Sequence, residues 1–431
     1  MKPLLPKQSQ TIFFSLLVFI ITFVGYVACR PDGQVDADPK WSIQLAISVI
    51  REGNLNLDEY RDYFMPRDYT IEGIAGHKYS VYPIGTPLIA VPFVFIVNLV
   101  KPNFFSGIQY VYPQAQVFIA SFIVALTAVL IFLIARLFLT IGQSLLLVFI
   151  FSFCTSTWST ASRALWQHGP SMLCLTLALY LILRSKSKPW LIQFVSLPLA
   201  FSYVIRPTNA LAIILITLFV FLYYRKYFVK YLLWSFLISI PFFLINYKTY
   251  GAFFPTYYQG QFTFHFPTLE SLAGPLISPS RGLFIYTPII MFSFWGFYMK
   301  IRKFNRNSAE SMLDIFLAVI ILAHCLLISS WPIWWGGWSV GPRMLSDMIP
   351  FMIYFMIPVI PLVTNPSKSI LAVRVIFFTL LVFSFLIQFR GATSPAMFDW
   401  NRIPTGLDQD LSRIWDWNDP PFLRGIISLQ K

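Results

Sequence analysis

The sequence predicts an all-α polytopic membrane protein with about 11–13 transmembrane helices. Hydrophobic residues make up 57% of the 431 residues and charged residues only 12%, whereas soluble domains carry about 25% charged residues. Apolar stretches that approach the roughly 20 residues of a bilayer crossing recur along the chain. Short basic runs separate many of these stretches, as expected for cytoplasmic loops.

The apolar stretches divide the chain into a helical bundle over residues 1–389 and an external tail over 390–431. A first external loop over 29–83 interrupts the bundle after its first helix. We predict membrane helices near residues 11–28, 84–100, 115–135, 142–158, 169–183, 190–205, 209–224, 231–247, 283–299, 312–330, 347–364 and 370–389.

The distribution of Lys and Arg predicts the orientation of the bundle. Basic runs at 184–188, 225–230 and 300–306, together with Lys368, fall on one side, which the positive-inside rule assigns to the cytoplasm. The loops 248–282 and 331–346 and the tail then lie outside. Because the net charge of +14 comes largely from such loops and forms no basic face, we expect membrane lipids as partners and no nucleic acid.

The basic residues at the N-terminus give a second orientation anchor. It disagrees by one crossing with the first anchor, the basic loops. Lys2 and Lys7 place the N-terminus in the cytoplasm and the loop 29–83 outside. Between residues 84 and 158 the two anchors then conflict. Either 84–100 is a re-entrant or broken segment, or Arg136 does not mark a cytoplasmic loop.

The first external loop holds nine of the 18 acidic residues, and the tail holds five. If the protein uses a carboxylate outside the cytoplasm, this loop is its expected source. Asp36 and Asp38 lie just beyond the first membrane segment. They are candidates for a general base or for ligands of a divalent cation. The four remaining acidic residues are Glu270, Glu310, Asp314 and Asp347.

The same loop contains a predicted interfacial helix over residues 41–50. Its apolar residues recur at helical spacing, i, i+3, i+4 and i+7. With about ten residues it is too short to span, so we expect it to lie in the outer interface. Asp38 is its expected N-cap, with Pro39 at the first helical position. The apolar face consists of Ile43, Ala46, Ile47 and Ile50.

Basic residues at predicted outer helix ends are candidates for phosphate binding, because arginine and phosphate form charge-assisted hydrogen bonds. Snorkelling to lipid headgroups is the alternative for each of them. Arg206 and Arg343 each neighbour a proline that breaks the helix, which is typical of cavity-lining segments. The full set is Lys78, Arg163, His168, Arg206, Arg281 and Arg343.

The run from Trp334 to Arg343 combines three tryptophans with three glycines. Its glycines allow tight turns, and indole faces can stack on sugar rings. An interfacial aromatic belt is the alternative. The candidates for sugar or acceptor stacking are Tyr82, Trp334, Trp335 and Trp338.

These features resemble the GT-C class of membrane glycosyltransferases. The resemblance lies in the acidic loop after segment one, the interfacial helix, and the Tyr- and Pro-rich entry to segment two at 78–87. Segments 278–288, 334–343 and 415–424 resemble stretches that recur in uncharacterised bacterial members of that class.

The resemblance implies transfer of a sugar from a polyprenyl-phosphate carrier to a lipid-linked or glycan acceptor, with inversion, at the outer face of the plasma (inner) membrane. The catalytic aspartate of the class lies in the first external loop, a position that Asp36 or Asp38 matches. The chain lacks the adjacent Asp-Glu pair of the mannosyltransferases, so the choice between Asp36 and Asp38 stays open. Asp36 is favoured over Asp38, because the side chain of Asp38 is the expected N-cap of the interfacial helix. A divalent cation is a possible cofactor.

Three other functions remain as alternatives. A lipid or polysaccharide transporter or flippase would carry charges within its membrane segments and internal repeats. A polysaccharide polymerase or ligase would have its large external loop late in the chain. A structural scaffold would explain neither the acidic loop nor the Trp-Gly-Arg run.

Overall fold

The computed structural model describes residues 8–29, 38–101, 104–105, 112–255, 257 and 265–426, without the side chains of Gln8 and Lys368. These residues are overwhelmingly helical, and the strands among them form a single antiparallel hairpin. The structure therefore confirms the prediction of an all-α polytopic membrane protein.

The helices coincide with all twelve predicted apolar segments. The first half of the chain forms α1 (Gln8–Val27), α2 (Ser42–Arg51), α3 (Gly85–Val100), α4 (Pro113–Ala135), α5 (Ile141–Phe153), α6 (His168–Ser185), α7 (Ser196–Ile205), α8 (Ala210–Tyr223) and α9 (Arg225–Tyr250). The second half forms α10 (Leu269–Ile277), α11 (Leu283–Tyr286), α12 (Phe292–Ile301), α13 (Ala309–Ser329), α14 (Ile349–Met356), α15 (Ile360–Thr364), α16 (Leu371–Thr393) and α17 (Pro395–Asp399).

Shorter elements connect these helices. Strands β1 (Ile71–Ile74) and β2 (His77–Ser80) pair within the first external loop. One π-helical turn, Thr157–Ala161, follows α5. The 3-10 helices are Asp58–Tyr63, Pro189–Val195, Pro207–Asn209, Pro288–Met291, Arg343–Met348, Lys368–Ile370, Leu411–Trp415 and Pro421–Leu423.

By length and composition, five of the described helices can cross a membrane, namely α1, α4, α9, α13 and α16. The other apolar segments are shorter or broken by turns. The segment predicted at 347–364, for example, is divided into a 3-10 helix, α14 and α15. The figure of 11–13 crossings therefore stays a prediction.

The loops gather at two opposite ends of the bundle. At one end, Lys186 on the loop after α6 pairs with Glu310 at 2.5 Å, and Tyr224 bonds Ser185 at 3.1 Å. Gln143 at the start of α5 bonds Thr364 at 3.0 Å. We call this the basic end, because the runs 184–188, 225–230 and 300–306 lie there.

The opposite end, here called the site end, receives the external loop. There the side chain of Gln116, on the first turn of α4, donates to the Pro39 carbonyl at 2.9 Å. Arg343 pairs with Asp38 at 3.3 Å. Eleven segments connect the two ends among the described residues: α1, α4, α5, α6, α7, α8, α9, α12, α13, α14 with α15, and α16.

Helix α3 begins and ends at the site end. At its start, Gly85 lies against the backbone of Ile205, the last residue of α7. Beyond its end, Phe105 packs edge-on against Tyr112, just before α4, with ring centroids 5.1 Å apart. Residues of α2 and α3 share one apolar cluster with Ile119 of α4. Both ends of segment 84–100 therefore lie at the site end, which favours the re-entrant alternative.

The predicted interfacial helix is present as α2, with Ile43, Ala46 and Ile47 buried against α3. The expected N-cap is wrong. Residues 38–41 form a turn, and Trp41 occupies the N-cap position without a side-chain capping bond. The carboxylate of Asp38 is thus not committed to the helix.

Candidate active site

Asp38 and Arg343 form the centre of a site at the site end. Arg343 Nη1 lies 3.3 Å from Asp38 Oδ2, and Nη2 donates to the Gly336 carbonyl at 2.7 Å. The guanidinium also stacks over the indole of Trp166, 4.2 Å from its ring centroid. The side chain of Asp38 is 15% exposed and that of Arg343 is 9% exposed, so the pair keeps some contact with solvent.

Two tyrosines line the same site. The rings of Tyr82 and Tyr257 lie 5.9 Å apart at 57°, and both hydroxyls interact electrostatically with Asp38 and Arg343. Burial raises the pKa of Tyr82 and raises the pKa of Tyr257 to about 12. Both phenols are therefore neutral at physiological pH and can donate hydrogen bonds to a bound phosphate or sugar.

A second group of ionisable side chains lies deeper, around Asp347, whose side chain is fully buried. Asp347 Oδ2 is 3.2 Å from Arg206 Nε and 3.3 Å from His168 Nδ1. His324 Nε2 lies 4.0 Å from the same oxygen and 3.1 Å from the Met344 carbonyl. Buried charges are retained when they are paired in this way.

Local sequence explains how Arg206 reaches this group. Pro207 disfavours helical geometry at the residue before it, and Arg206 is extended, with φ −154° and ψ 117°. The chain restarts as a 3-10 turn, and the Asn209 side chain donates at 3.0 Å to the Ser202 carbonyl, which also accepts the Arg206 amide at 2.9 Å. The break between α7 and α8 thereby turns the arginine into the bundle.

A layer of hydroxyl groups fixes the other side of the site. Ser156 bonds Ser346 at 2.8 Å, and Thr160 donates to the Val340 carbonyl at 3.0 Å. These bonds hold the segment that leads into α6, with Trp166 just before that helix and His168 at its first position, against the 3-10 helix Arg343–Met348. That short helix carries both Arg343 and Asp347.

The structure brings five of the predicted site residues together: Asp38, Tyr82, His168, Arg206 and Arg343. His168 interacts electrostatically with both arginines, which links the surface pair to the deeper group. Asp36, the other predicted base, lies outside the described residues.

The other three predicted cations belong to other parts of the structure, and the side chains of two of them are engaged there. Arg163 donates to the Tyr26 carbonyl near the end of α1. Arg281 donates to the carbonyls of Trp335 and Gly337 and to Asn401 Oδ1, at 3.0, 2.9 and 2.6 Å. Lys78 lies on strand β2, where its amide donates to Asp58.

The tryptophans of the Trp-Gly-Arg run pack against protein. The indole of Trp334 covers Gly274, where a Cβ atom would overlap it, and its ring meets that of Trp335 edge-on. Arg402 stacks on Trp338 at 5.1 Å. The expected turns are present, since Gly336, Gly337 and Gly341 have φ of 73°, 63° and 64°.

Sequence reasoning missed Asp347, His324, Trp166 and Tyr257 as site residues. A usable signal existed for Asp347 and His324, because an ionisable side chain in an apolar segment is a functional candidate by default. Trp166 and Tyr257 carry no such signal, since aromatic residues are frequent throughout the chain.

The described residues contain no group of three or more His, Cys, Asp or Glu side chains that could hold a metal ion. Asp38 Oδ2 is paired with Arg343. The residues seen here therefore do not build a metal site, and the expected divalent cation stays a prediction.

Comparison of the chain with models of known protein families gives no match, and comparison with curated protein sequences gives none either.

Proposed function

We propose that the protein is a membrane glycosyltransferase that moves a sugar from a polyprenyl-phosphate carrier to a lipid-linked or glycan acceptor. One observation carries the proposal. A partly exposed carboxylate, Asp38, pairs with an arginine at the end of a membrane bundle, beside neutral phenols and a second arginine. Glycosyl transfer from a lipid phosphate needs this combination of a base and cations.

In the proposed reaction, a carboxylate oxygen of Asp38 accepts the proton of an acceptor hydroxyl. The hydroxyl oxygen bonds to the anomeric carbon while the bond from that carbon to the phosphate oxygen breaks, which inverts the configuration. The electron pair stays on the lipid phosphate. Arg343 and Arg206 stabilise that developing charge, and Tyr82 and Tyr257 donate hydrogen bonds to the phosphate or the sugar.

The orientation supports an external site. The loops rich in Lys and Arg lie at the basic end, which the positive-inside rule assigns to the cytoplasm. If each of the eleven connecting segments crosses the bilayer, their odd number puts the N-terminus and the C-terminal tail on opposite sides. The proposal therefore places the N-terminus in the cytoplasm and the site and tail outside, in a multi-pass protein of the plasma (inner) membrane.

Replacing the base tests the activity. Asp38→Asn keeps the shape of the side chain but removes its proton affinity, so transfer from a radiolabelled polyprenyl-phosphate sugar should fall about 10²–10⁴-fold. Asp36→Asn is assayed in parallel, because the resemblance fits either aspartate. Asp62→Asn, an exposed carboxylate of the same loop, should transfer normally. Normal transfer in both Asp36→Asn and Asp38→Asn would refute the assignment.

Cysteine labelling of intact cells tests the orientation. Gln409→Cys in the tail and Ser187→Cys at the basic end are both exposed positions. A membrane-impermeant maleimide should label Gln409→Cys directly and Ser187→Cys only after permeabilisation. The reverse pattern would invert the proposed topology.

The buried group around Asp347 also favours a second candidate, a lipid transporter or flippase. Charges inside membrane segments mark ion and substrate pathways, and Arg206, His168 and His324 share one carboxylate there. Purified protein in liposomes distinguishes the two functions. A flippase would move a fluorescent polyprenyl phosphate between leaflets without acceptor, whereas the transferase would require acceptor and release unglycosylated lipid phosphate.

A further inference from the structure

Asp347 is the most deeply buried acid of the site, and its role is not that of a base. Its side chain has no exposed surface, and Oδ2 is shared by Arg206 Nε and His168 Nδ1. Oδ1 has no hydrogen-bond partner among the residues that the structure describes. A buried carboxylate without contact to solvent cannot receive an acceptor, but it can hold a cation in one place.

Among the residues that the structure describes, oxygen atoms contact Arg206 along one edge only. Nε lies 3.2 Å from Asp347 Oδ2 and donates to Thr208 Oγ1 at 2.8 Å. Nη1 faces the ring of His168. The partner of Nη2 is the Met344 sulfur at 3.8 Å, and a thioether is a weak acceptor. The terminal nitrogens thus retain capacity for a stronger acceptor.

The terminal nitrogens of Arg206 share neighbours with the second arginine, Arg343. The Met344 sulfur that receives Nη2 also packs against Gly336, whose carbonyl accepts from Arg343. The hydroxyl of Tyr257 interacts with both arginines. The Nε of Arg343 is buried and has no hydrogen-bond partner within the described part of the chain.

We propose that Asp347 is a positioning residue that fixes the guanidinium of Arg206, so that Arg206 and Arg343 together clamp the phosphate of the lipid donor. The inference rests on the proposed function for the identity of the donor. Two planar guanidinium groups can each bond a phosphate through two donors. The 3-10 helix Arg343–Met348 supplies one arginine directly and holds the other through Asp347.

Binding of farnesyl phosphate, with farnesol as the phosphate-free probe, tests the clamp without any chemical step. Purified wild-type protein in detergent should bind farnesyl phosphate more tightly than farnesol. Asp347→Asn should weaken farnesyl phosphate binding about tenfold, equivalent to about 1.4 kcal/mol, and leave farnesol binding unchanged. Asp314→Asn is the matched control, a buried acid paired with Lys300 at the basic end, and should bind both probes normally.

A double-mutant cycle separates positioning from a general effect on folding. If Asp347 acts through Arg206, adding Asp347→Asn to Arg206→Gln should cost less than about twofold further in farnesyl phosphate binding. Arg206→Lys keeps the charge but lacks Nε, so its farnesyl phosphate binding should weaken as much as that of Asp347→Asn. It replaces Asp347→Asn in the test if Asp347→Asn does not fold. Independent, multiplying losses would overturn the proposal.

The outcomes separate this inference from the proposed function. Equal binding of the two probes by wild-type protein would refute the clamp. A preference for farnesyl phosphate that depends on Asp347, in a protein that transfers no sugar, would support the clamp and refute glycosyl transfer. Normal farnesyl phosphate binding by folded Asp347→Asn would refute the positioning role alone.

Discussion

Two buried acids, Asp314 and Asp347, lie at opposite ends of the bundle and differ in how completely they are paired. At the basic end, both oxygens of Asp314 accept from Lys300, at 3.0 and 3.3 Å, and Oδ1 also accepts from the Tyr354 hydroxyl at 2.9 Å. At the site end, Asp347 uses one oxygen for several partners, and its other oxygen has none among the described residues.

This difference separates a group that holds helices together from a group that leaves bonding capacity for a ligand. Lys300 on α12, Asp314 on α13 and Tyr354 on α14 satisfy one another and join three helices. Arg206 and Arg343 keep donors that lack strong acceptors. Buried N–H groups without strong acceptors call for an explanation. The phosphate of a bound lipid-linked sugar supplies one, because its oxygens would accept from these arginines.

The largest expected effect is on stability, at the basic end. Asp314→Ala leaves the Lys300 ammonium, whose side chain is only 16% exposed, without its charge partner. Removal of one member of a buried pair costs about 3–5 kcal/mol. The free energy of unfolding in mixed micelles should fall by this amount, while transfer per folded molecule stays unchanged.

The double variant Asp314→Ala, Lys300→Met is the control for that prediction, because removing both charges should recover much of the loss. An Asp314→Ala protein as stable as wild type would show that the cluster does not hold the helices. The contrast between Asp314, which holds helices together, and Asp347, which belongs to a ligand site, would then fail.

The next effect is on activity, at the site end. Arg343→Ala removes a donor from the proposed phosphate site, and loss of one such donor costs about 10²–10³-fold in turnover. Arg343→Lys keeps the charge but lacks the planar fork, so it should recover only part of the rate. Transfer assays at saturating donor measure both, with Arg302→Ala at the basic end as the control. Turnover near wild type in Arg343→Ala would exclude the arginine from the site.

The helices of the bundle could be predicted from the sequence, and much of the site could not. Long apolar stretches predict membrane helices from local sequence alone, and every predicted segment is helical. The pairing of Asp38 with Arg343 joins residues 305 positions apart, which no local pattern encodes. The packing of the Trp-Gly run could not be predicted for a related reason, since α10 and the tail, which contact its indoles, are distant in sequence. Stacking of these indoles on a sugar stays a prediction.

Tight glycine contacts at the two ends give a third, smaller test. A Cβ atom on Gly85 would lie 2.6 Å from the Ile205 amide nitrogen, and one on Gly296 would overlap the Phe355 carbonyl. Overpacking of this kind costs about 1–3 kcal/mol, so both Gly→Ala variants should be less stable. Only Gly85→Ala should also weaken farnesyl phosphate binding, because it displaces the residue before Arg206. Equal binding losses in both variants would show that the site responds to any strain in the bundle.

The smallest effect concerns an ion-pair group in the external loop, around Asp58, where water weakens the interaction. The side chain of Asp58 is 27% exposed. Burial raises the pKa of Asp58, but hydrogen bonds from His77, Arg61 and the Lys78 amide outweigh it and lower the pKa to about 2. Because the folded pKa lies below the ordinary value of 3.8, the stabilisation is present above pH 3.8 and is lost as the pH falls toward 2.

Acid should therefore loosen the link between Asp58 and the β1–β2 hairpin without unfolding the bundle. After solvent screening the contribution is at most about 1 kcal/mol, so the change is local. Hydrogen exchange of the hairpin amides should become a few-fold less protected between pH 5 and pH 2.5, after correction for the intrinsic exchange rate. Asp58→Asn should lack this pH dependence, because it has no charge to lose. A wild-type hairpin whose protection stays constant over that range would show that the Asp58 group contributes nothing to holding the loop.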